Sequence, residues 1–414
     1  MAIACYLRNT KLHHKKGELV VNIGIFTDTY FPQVSGVATS IRTLKNELER
    51  QGNQVYIFTT TDPHVDKDTY ERNIFRFSSI PFISFTDRRI AVRGLFQAYE
   101  IAKELNLDIV HTQTEFSMGV IGKFVAKNLN IPCVHTYHTM YEDYLHYVAN
   151  GKLLKPVHVK EGTLAFCYHL SGVIAPSDRV LDKLTDYGVK SQMRIIPTGI
   201  DIGMYAKELH TDIRTKYHIS KDTPLMLSIS RLAYEKNLAQ VIDWVPDILT
   251  KVPDAKLMIV GDGPAKQDLM DQADKLGLAD HVIFTGEISN DHVNAFYRAA
   301  DVFVSASESE SQGLTYIEAM AAGLPVVVTT SDYTDALLNN PTLGQTYQDA
   351  SGYVDAVVNY LTEPVQNNTG KAKGILQKKL KAISAETFAD RVVDFYHNVT
   401  VEQELPKDPT INIE

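Results

Sequence analysis

Short runs rich in β-branched residues alternate with amphipathic stretches along nearly the whole chain, and this alternation constrains the fold more than any other feature. Such runs are typical of parallel strands, and the stretches between them are typical of connecting helices. In the first half the runs lie at 22–27, 55–59, 74–77, 109–112, 133–137, 172–175 and 194–196. The pattern restarts at 225–230, 256–260, 282–285, 301–305 and 325–329. We therefore predict an α/β protein with two Rossmann-like parallel-sheet domains facing across a cleft.

The chain length also favours two domains. At roughly 100–200 residues per domain, 414 residues suffice for two such units, and Pro197-Thr-Gly-Ile-Asp201 is typical of a linker between them. The last amphipathic stretch follows a lysine-rich segment and is predicted to cross back to the first domain. The expected segments are a disordered leader at 1–21, a first domain at 22–200, a second domain at 201–384, the crossover helix at about 385–399, and a tail at 400–414.

The composition excludes several classes of protein. The chain is 44% hydrophobic and 22% charged, as ordinary globular proteins are, and it contains no run of 18 apolar residues that could span a bilayer. The leader has basic residues but no apolar core or cleavage site, so it is not typical of a secretory signal. Cys5, Cys133 and Cys167 form neither a close pair nor a metal-binding spacing, as expected in a reducing cytoplasm.

The net charge of −9 is unevenly distributed. Residues 1–200 contain 23 basic and 19 acidic side chains, a net charge of +4, whereas residues 201–414 contain 18 and 31, a net charge of −13. A basic first half is consistent with attachment to an anionic membrane, although charge also varies between domains for no functional reason.

Two glutamates with seven residues between them follow the run at 301–305. Glu310 lies in a polar segment, and Glu318 lies in the apolar stretch 314–322, which is typical of a buried helix. The pattern places Glu310 on a loop at a strand's carboxyl end and Glu318 one to two turns into the next helix. The first amides of that helix favour an anion. Carboxylates on either side of a phosphate site suit a nucleotide sugar; the alternative is two solvated glutamates in an acidic loop.

Two cations, Arg231 and Lys236, follow the first run of the second half. On a loop and first helical turn at a strand's carboxyl end, they suit the diphosphate of a leaving group, unless both face solvent. The run at 256–260 leads into Gly261-Asp-Gly-Pro264, whose glycines permit a tight turn. The spacing G-x-G-x-x-G is absent, so nicotinamide or flavin binding is not expected.

The first domain also has candidate binding residues at the ends of its runs. Ser35-Gly36-Val37 is a small-residue loop before a helix predicted at about 39–50, and such a loop can bind an anion. His138 follows the run at 133–137 and could hydrogen-bond a sugar hydroxyl. His135, inside that run, is more typical of a packed core.

Taken together, these motifs resemble those of the retaining, nucleotide-sugar-dependent glycosyltransferases of family 4, the large sucrose-synthase-like family with GT-B architecture. The resemblance covers roughly residues 22–396. Within the family, residues 26–37 and 135–144 are similar to the matching segments of bacterial diacylglycerol α-glucosyltransferases. Those enzymes begin the synthesis of membrane glycolipids and lipoteichoic-acid anchors.

The resemblance implies a role for each matching residue. Arg231 and Lys236 would hold the donor diphosphate. Glu310 would bind the hexose hydroxyls and Glu318 the ribose, and His138 would contact the hexose near the reacting carbon. The other donor-binding residues that the resemblance implies are Gly36, Val37, Gly261, Gln312, Gly313 and Leu314.

The resemblance also implies the course of the reaction. The acceptor would attack from the leaving group's own face, so configuration is retained without a covalent enzyme intermediate. UDP-glucose is the expected donor, and neither a cofactor nor a metal is expected. Asp66-Lys-Asp68 matches the Asp-x-Asp metal motif of other glycosyltransferases, but it lies in a polar stretch typical of a surface loop.

One segment departs from the pattern of the family. Many relatives have a glycine pair and a later glutamate after the last run, whereas this chain has Ser331-Asp-Tyr-Thr-Asp-Ala-Leu there. The contacts to the sugar in this segment therefore stay open.

An apolar segment beside cations is the candidate membrane and acceptor surface. Its residues are Phe82, Phe85, Arg88 and Arg89, and a second basic segment lies at 152–160. This pairing is typical of attachment to an anionic membrane, and a buried strand edge with a solvated rim is the alternative. The expected partners are a UDP-hexose, diacylglycerol or a related lipid, and the cytoplasmic face of a membrane, with no nucleic acid. The sequence does not distinguish a glucose donor from a galactose donor, and it does not indicate the oligomeric state.

Three other interpretations stay open. A two-lobed sugar-binding protein would share the architecture but would bind without transfer. A sugar-nucleotide epimerase of the same architecture would turn over the donor without lipid. A transferase could also act on glucosyl-diacylglycerol, a soluble sugar or a protein. Analysis of the products formed from each donor with diacylglycerol distinguishes these possibilities.

Overall fold

In a computed structural model, the chain divides into two compact units. Unit 1 comprises Met1–Pro197 and Phe388–Glu414, and unit 2 comprises Thr198–Thr387. The structure describes residues 14–15, 18–33, 35–65, 71–82, 85–142, 155–206, 211–289, 292–363 and 370–404. Most of the expected leader, the Asp66-Lys-Asp68 motif and residues 152–154 of the second basic segment lie outside these residues.

The described part of unit 1 contains a seven-stranded parallel sheet and two short antiparallel ribbons. The strands are β1 (His14–Lys15), β2 (Glu18–Leu19), β3 (Asn22–Thr27), β4 (Gln54–Thr60), β5 (Ile74–Phe77), β6 (Ser79–Phe82), β7 (Phe85–Ala91), β8 (Ile109–Thr112), β9 (Cys133–Thr136), β10 (Gly172–Ala175) and β11 (Met193–Ile195). The sheet has the order β11-β10-β9-β8-β3-β4-β5. Strand β3 pairs with both β4 and β8, so the direction of winding reverses between β3 and β8. Ligands of doubly wound sheets bind beyond the carboxyl ends of the strands at such a switch point.

Helices cover both faces of this sheet. They are α1 (Gly36–Arg50), α2 (Leu95–Glu104), α3 (Ser117–Leu129), α4 (Pro156–Cys167) and α5 (Asp178–Tyr187). Ile109 belongs to one hydrophobic cluster and its neighbour Val110 to the other, because successive side chains of a strand point to opposite faces. All residues of β8, β9 and β10 are buried, so these strands read as continuous apolar runs.

The two ribbons of unit 1 were not predicted. Strands β6 and β7 pair antiparallel where the sequence suggested an apolar membrane patch. Strands β1 and β2 pair inside the segment expected to be a disordered leader. No strand of these two ribbons has consecutive β-branched residues, so the alternation of runs and helices does not reveal them.

The described part of unit 2 contains a six-stranded parallel sheet. Its strands are β12 (Leu225–Ile229), β13 (Lys256–Val260), β14 (Val282–Gly286), β15 (Val302–Ser305), β16 (Val326–Thr329) and β17 (Gly344–Tyr347). The order is β14-β13-β12-β15-β16-β17, so the switch point lies between β12 and β15. Every predicted run in both halves forms a strand. Strand β17 was missed because Gly-Gln-Thr-Tyr has no apolar run and lies at the sheet edge.

The remaining helices pack on the second sheet or return to the first unit. They are α6 (Ile202–Ala206), α7 (Ile213–Lys216), α8 (Leu238–Asp243), α9 (Val245–Lys251), α10 (Lys266–Lys275), α11 (Val293–Ala299), α12 (Leu314–Ala321), α13 (Asp332–Leu337), α14 (Ala350–Thr362), α15 (Gly370–Ala382) and α16 (Ala385–Glu404). Helices α8 and α9 are separated at Trp244, because Pro246 lacks the N–H that would continue the hydrogen-bond ladder.

Helix α16 joins the core of unit 1. Phe388, Val392 and Phe395 lie in the same hydrophobic cluster as Ile23 of β3. The helix reaches Glu404, beyond the expected end at residue 399 and into residues predicted to be a tail.

Candidate active site

Two loops of unit 2 meet at its switch point, one after β12 and one after β15. The Lys236 ammonium donates to Glu310 Oε1 at 2.6 Å, and both side chains are largely shielded from solvent, with exposed fractions of 16% and 23%. Asn237 Nδ2 donates to the Ala306 carbonyl at 3.1 Å, and the Ser309 hydroxyl donates to the Glu235 carbonyl at 3.2 Å. The structure thus brings together Lys236 and Glu310, which the sequence singled out separately.

Arg231 lies on the same loop after β12 and is exposed. The backbone beside it is held by the loop after β13, since Leu232 N–H donates to the Asp262 carbonyl at 2.9 Å. Gly261 has a φ of +141°, and a Cβ at this position would overlap the Ser230 carbonyl oxygen. The glycine is therefore required where two backbones approach closely, which supports the loop that bears Arg231.

Gln312, Gly313 and Leu314 precede and begin helix α12. The buried Gln312 side chain accepts from Thr198 N–H and donates to the Thr198 carbonyl, both at 2.7 Å. Gly313 adopts a left-handed φ of +65° as the residue before the helix. The first amides of α12 then face the region beyond the strand ends, where a helix N-terminus favours an anion. The side chain of Gln312 has a structural use that sequence reasoning missed.

Glu318 lies inside helix α12 and is buried with a 6% exposed fraction. The Tyr297 hydroxyl donates to Glu318 Oε2 at 2.8 Å. Burial raises the pKa of Glu318 from 4.5 to about 7, against the hydrogen bonds from Tyr297 and Tyr205. The carboxyl group therefore changes charge near neutral pH.

The segment that departs from the family pattern forms the short helix α13. The Ser331 hydroxyl accepts from Thr334 N–H at 3.1 Å and so caps the helix. Burial, with the charge of Glu310, raises the pKa of Tyr333 above its ordinary range. The charge of Glu310 therefore acts on Tyr333, and the sequence held no motif that could have identified this tyrosine.

At the switch point of unit 1, Asp28 follows β3 and ties two loops together. Its carboxylate accepts from the Thr114 hydroxyl at 2.6 Å, from the Ser117 hydroxyl, and from Met118 N–H at 3.0 Å. Burial raises the pKa of Asp28, although these hydrogen bonds oppose the rise. The acceptor oxygens of Asp28 thus hold the loop after β8 and the N-terminus of α3.

His138 follows β9 and contacts Gln113, which follows β8. The distance from His138 Nε2 to Gln113 Oε1 is 2.6 Å. A carbonyl oxygen only accepts, so Nε2 carries the hydrogen and Nδ1 carries the lone pair. Burial and the neighbouring His135 lower the pKa of His138 to about 3, so the ring is neutral at neutral pH. It can accept a hydrogen bond from a ligand hydroxyl at Nδ1.

Gln113 was not singled out in the sequence. It is buried, and its Nε2 has no hydrogen-bond partner among the residues that the structure describes. A buried amide without a partner is rare in native proteins. The orientation that leaves Nε2 unpaired is the one that lets Oε1 accept from His138. The signal available beforehand was its position directly after a strand.

His135 is fully buried, as predicted for a core residue. Its Nδ1 lies 2.9 Å from the Thr112 hydroxyl, and its Nε2 lies 3.1 Å from Glu115 Oε1. The Tyr141 hydroxyl donates to the other oxygen of Glu115. Glu115 is a further polar residue at this switch point that the sequence did not reveal.

Ser35, Gly36 and Val37 form the start of helix α1, earlier than expected. The Ser35 hydroxyl accepts from Ala38 N–H at 3.1 Å and so caps the helix. Gly36 and Val37 therefore lie in the first helical turn and not in a loop. An N-terminal turn still favours an anion, but the Ser35 hydroxyl is already used.

The candidate membrane surface is only partly described. The Arg89 guanidinium donates to the Ser79 hydroxyl at 2.8 Å and to the Ser79 carbonyl at 2.7 Å, so it stabilises the β6–β7 ribbon. Ile80, on the same ribbon, has a 54% exposed fraction. The side chains of Phe82, Phe85 and Arg88 lie outside the described part of the structure.

The described part of the chain has neither a membrane-spanning helix nor a cluster of metal-binding side chains. Within these residues, no helix combines the length and apolar character that crossing a membrane requires. In the same part of the chain, no group of three or more His, Cys, Asp or Glu side chains could hold a metal ion.

Comparisons with known proteins identify the family. A model described as Glycosyltransferase Family 4 matches residues 34–203, and one described as Glycosyl transferases group 1 matches residues 210–356. The chain is 45% identical, over 95% of its length and 90% of the relative's, to alpha-monoglucosyldiacylglycerol synthase of Streptococcus pneumoniae. It is 35% identical, over 77% of its length and 83% of the relative's, to the protein of the same name from Acholeplasma laidlawii.

Solved structures share the fold. Sucrose-phosphate synthase from Thermosynechococcus elongatus superposes with a TM-score of 0.73 at 21% identity, covering 92% of this chain and 100% of that one. Anabaena HepE in complex with UDP-glucose superposes with a TM-score of 0.69 at 18% identity, covering 91% and 99%. The predicted fold class is thereby confirmed as GT-B, with two Rossmann-like parallel-sheet domains, and the class of protein is a glycosyltransferase. The chain belongs to glycosyltransferase family 4.

Proposed function

We propose that this enzyme transfers a glucosyl group from UDP-glucose to 1,2-diacylglycerol, with retention of configuration, at the cytoplasmic face of a membrane. The observation that carries the proposal is the 45% identity to the Streptococcus pneumoniae synthase over 95% of this chain. That relative is named for the synthesis of α-monoglucosyldiacylglycerol. The positions of polar side chains at the two switch points support the proposal.

The donor side of the proposal is supported by unit 2. Arg231 and Lys236 lie on one loop at the switch point. Lys236 contacts Glu310, which lies four residues before the first residue of α12, and a helix N-terminus favours an anionic diphosphate. Glu310, in contact with Lys236, would accept hydrogen bonds from hexose hydroxyls. Glu318 would accept from the ribose. The Anabaena structure with UDP-glucose shows that a protein of this fold binds such a donor.

The proposed reaction is a single displacement on the face of the leaving group. The bond between the anomeric carbon and the β-phosphate oxygen of UDP-glucose breaks, and its electron pair stays on UDP. Arg231 and Lys236 stabilise the developing phosphate charge. The hydroxyl oxygen of the acceptor bonds to the anomeric carbon, and its proton passes to a phosphate oxygen. Donors preorganised for developing charge typically contribute a factor of about 10²–10³ each.

We further propose that the reaction needs no metal. Arg231 and Lys236 would supply the positive charge that Mg²⁺ supplies to diphosphates elsewhere. The check is transfer activity in excess EDTA, which we expect to equal the activity without chelator. A loss that Mg²⁺ restores would contradict this part of the proposal.

The test of the proposed function is product analysis. Vesicles of anionic phospholipid with dioleoylglycerol would be incubated with enzyme and either UDP-glucose or UDP-galactose. The expected product is monoglucosyldiacylglycerol with an α-linkage, identified by mass spectrometry and by the coupling of the anomeric proton. A β-linkage would exclude retention. If product forms only with glucosyl-diacylglycerol or with a soluble sugar, that molecule and not diacylglycerol is the acceptor. Binding of the donor without transfer would indicate a sugar-binding protein.

A further inference from the structure

Glu115 lies at the switch point of unit 1 and has no place in the roles proposed above. It follows β8, three residues beyond the strand end, in the loop that Asp28 of the neighbouring strand end holds through Thr114. Its side chain is 13% exposed, so it is shielded but accessible. Ligands of doubly wound sheets bind at this location. Topology therefore places a carboxylate where a ligand of unit 1 would lie.

A second glutamate of the same unit shows what is unusual about Glu115. Glu142 accepts from the Tyr187 hydroxyl at 2.6 Å and pairs with the Lys183 ammonium at 2.6 Å. Glu115 likewise accepts from a tyrosine hydroxyl, but no lysine or arginine of the described residues pairs with it. The basic partner of Glu142 is a lysine, whereas the basic partner of Glu115 among the described residues is the imidazole of His135.

The other partner of Glu115 is His135. His135 Nδ1 lies 2.9 Å from the Thr112 hydroxyl and 3.0 Å from the Thr112 carbonyl, and His135 Nε2 lies 3.1 Å from Glu115 Oε1, to which it can donate. The carboxylate of Glu115 thus accepts one hydrogen bond from His135 and one from Tyr141. A carboxylate accepts about four hydrogen bonds, so Glu115 has acceptor capacity for a ligand.

The charge of Glu115 restricts what that ligand can be. A nucleotide diphosphate is anionic and would be repelled, so this position does not suit the phosphates of the donor. A neutral hydroxyl donates strongly to a carboxylate. The wall beside it is apolar, because the Phe116 ring packs edge to face on the Tyr141 ring at 5.8 Å. The surroundings suit a hydroxyl carried on an apolar molecule.

We propose that Glu115 binds the free hydroxyl of the lipid acceptor, with the rings of Phe116 and Tyr141 beside the adjoining apolar part. This inference deepens the proposed function and rests on it. The hydrogen bond orients the hydroxyl oxygen for attack, and the proton still passes to the phosphate of UDP. Glu115 would therefore determine binding and orientation of the acceptor and leave binding of the donor unchanged.

The experiment compares Glu115→Gln with Glu142→Gln in the full-length chain. Both variants replace a tyrosine-bonded carboxylate of unit 1 by an amide of the same size. Two rates are measured: transfer from UDP-glucose to dioleoylglycerol in vesicles, and hydrolysis of UDP-glucose without lipid. Glu115→Gln is expected to lower kcat/KM for dioleoylglycerol by about 10–100-fold, the worth of a hydrogen bond to a charged group. Hydrolysis and the Kd for UDP should change less than twofold, and Glu142→Gln should change neither rate.

Glu115→Asp provides the second variant, because it keeps the charge and shortens the side chain. It should raise KM for dioleoylglycerol while retaining more transfer activity than Glu115→Gln. If Glu115→Gln transfers as well as the wild type, or loses hydrolysis and transfer in equal measure, Glu115 does not bind the acceptor. Absence of wild-type transfer to dioleoylglycerol would instead overturn the proposed function together with this inference. The two failures are therefore distinguishable.

Discussion

The two switch points of this protein have the same topology and different chemistry. In unit 2 the loops after β12 and β15 are joined by a charged pair, Lys236 with Glu310. In unit 1 the loops after β3 and β8 are joined by hydrogen bonds to the buried Asp28, and a neutral histidine lies beside them. The winding of the sheet thus determines where polar groups collect. The side chains on the loops determine whether the polar groups at a switch point suit an anionic or a neutral ligand.

The distribution of charge changes when it is counted by unit. Residues 1–197 and 388–414 contain 25 basic and 25 acidic side chains, and residues 198–387 contain 16 and 25. Unit 1 therefore has no net charge, and unit 2 has a net charge of −9. The basic character expected from the first 200 residues is cancelled by the acidic end of the chain. Attachment to an anionic membrane would depend on local basic residues and not on the charge of the whole unit.

The largest expected effect tests the charged pair at the switch point of unit 2. Lys236→Ala should lower kcat for glucosyl transfer by about 10²–10³-fold, because the variant loses the cation that would stabilise the departing diphosphate. The matched control is Lys251→Ala, since Lys251 also pairs with a carboxylate at 2.7 Å but lies on the surface of unit 2. The measurement is the transfer rate of each variant and of the wild type at saturating UDP-glucose. A small loss, equal to that of the control, would exclude Lys236 from catalysis.

The next effect tests the neutral histidine at the switch point of unit 1. Gln113→Leu should lower kcat/KM for transfer by about 10–100-fold, because His138 loses the acceptor that fixes its tautomer. Gln113→Glu keeps an oxygen acceptor and should retain more activity. Gln51→Leu, on the surface of unit 1, is the control. Nitrogen chemical shifts of the His138 ring should show a hydrogen on Nε2 in the wild type; a hydrogen on Nδ1 would contradict the assignment.

A third effect concerns stability and the buried carboxyl of unit 2. Burial raises the pKa of Glu318 to about 7, so the folded protein keeps a proton that the unfolded chain releases above about pH 4.5. The free energy of unfolding should therefore fall as the pH rises from about 4.5 to 7 and stay level above that range. At about 1.4 kcal/mol per pKa unit, the fall is of order 3 kcal/mol.

Melting temperatures between pH 5 and 8 measure this effect. Glu318→Gln has no group to ionise at this position. The melting temperature of the variant minus that of the wild type should therefore increase as the pH rises. Glu363→Gln, an exposed position, should follow the wild type throughout. Parallel profiles for the wild type and Glu318→Gln would mean that Glu318 is not held in its neutral form.

The smallest effect tests local attachment to the membrane. Arg88→Glu should weaken binding to vesicles of anionic phospholipid by about fivefold or more, at about 1 kcal/mol per basic residue near the surface. Cosedimentation measures the binding, and the Kd for UDP should stay unchanged. Arg89 is a poorer choice, because its guanidinium bonds Ser79 and a substitution would also disturb the ribbon. Equal binding by Arg88→Glu and wild type would remove this residue from the membrane surface.

Much of the fold was predictable, because a buried parallel strand needs a continuous apolar run. The run at 109–112 and strand β8 have the same limits for this reason. Strand β17 and the β6–β7 ribbon were not predictable, since Gly-Gln-Thr-Tyr of β17 and Phe-Thr-Asp-Arg-Arg-Ile-Ala of β7 contain no continuous apolar run. The break between α8 and α9 at Trp244 was foreseeable from Pro246.

The candidate site was predictable only in part. Lys236, Glu310 and Glu318 were identified because they match a family motif. Gln113, Glu115 and Tyr333 were not identified, because the significance of each depends on a residue distant in sequence. Gln113 contacts a residue 25 positions away, and Glu115 contacts one 20 positions away. No local pattern reports such contacts.

The sequence by itself determined the α/β class, most strands of the two parallel sheets and the family, because apolar periodicity and motif spacing are properties of adjacent residues. The tertiary structure alone decided which polar groups meet and in what state they are held. The neutral ring of His138, the raised pKa of Glu318 and the contact of Glu115 with His135 all arise from burial and from partners distant in sequence. Burial and long-range contact exist only once the sheet has formed.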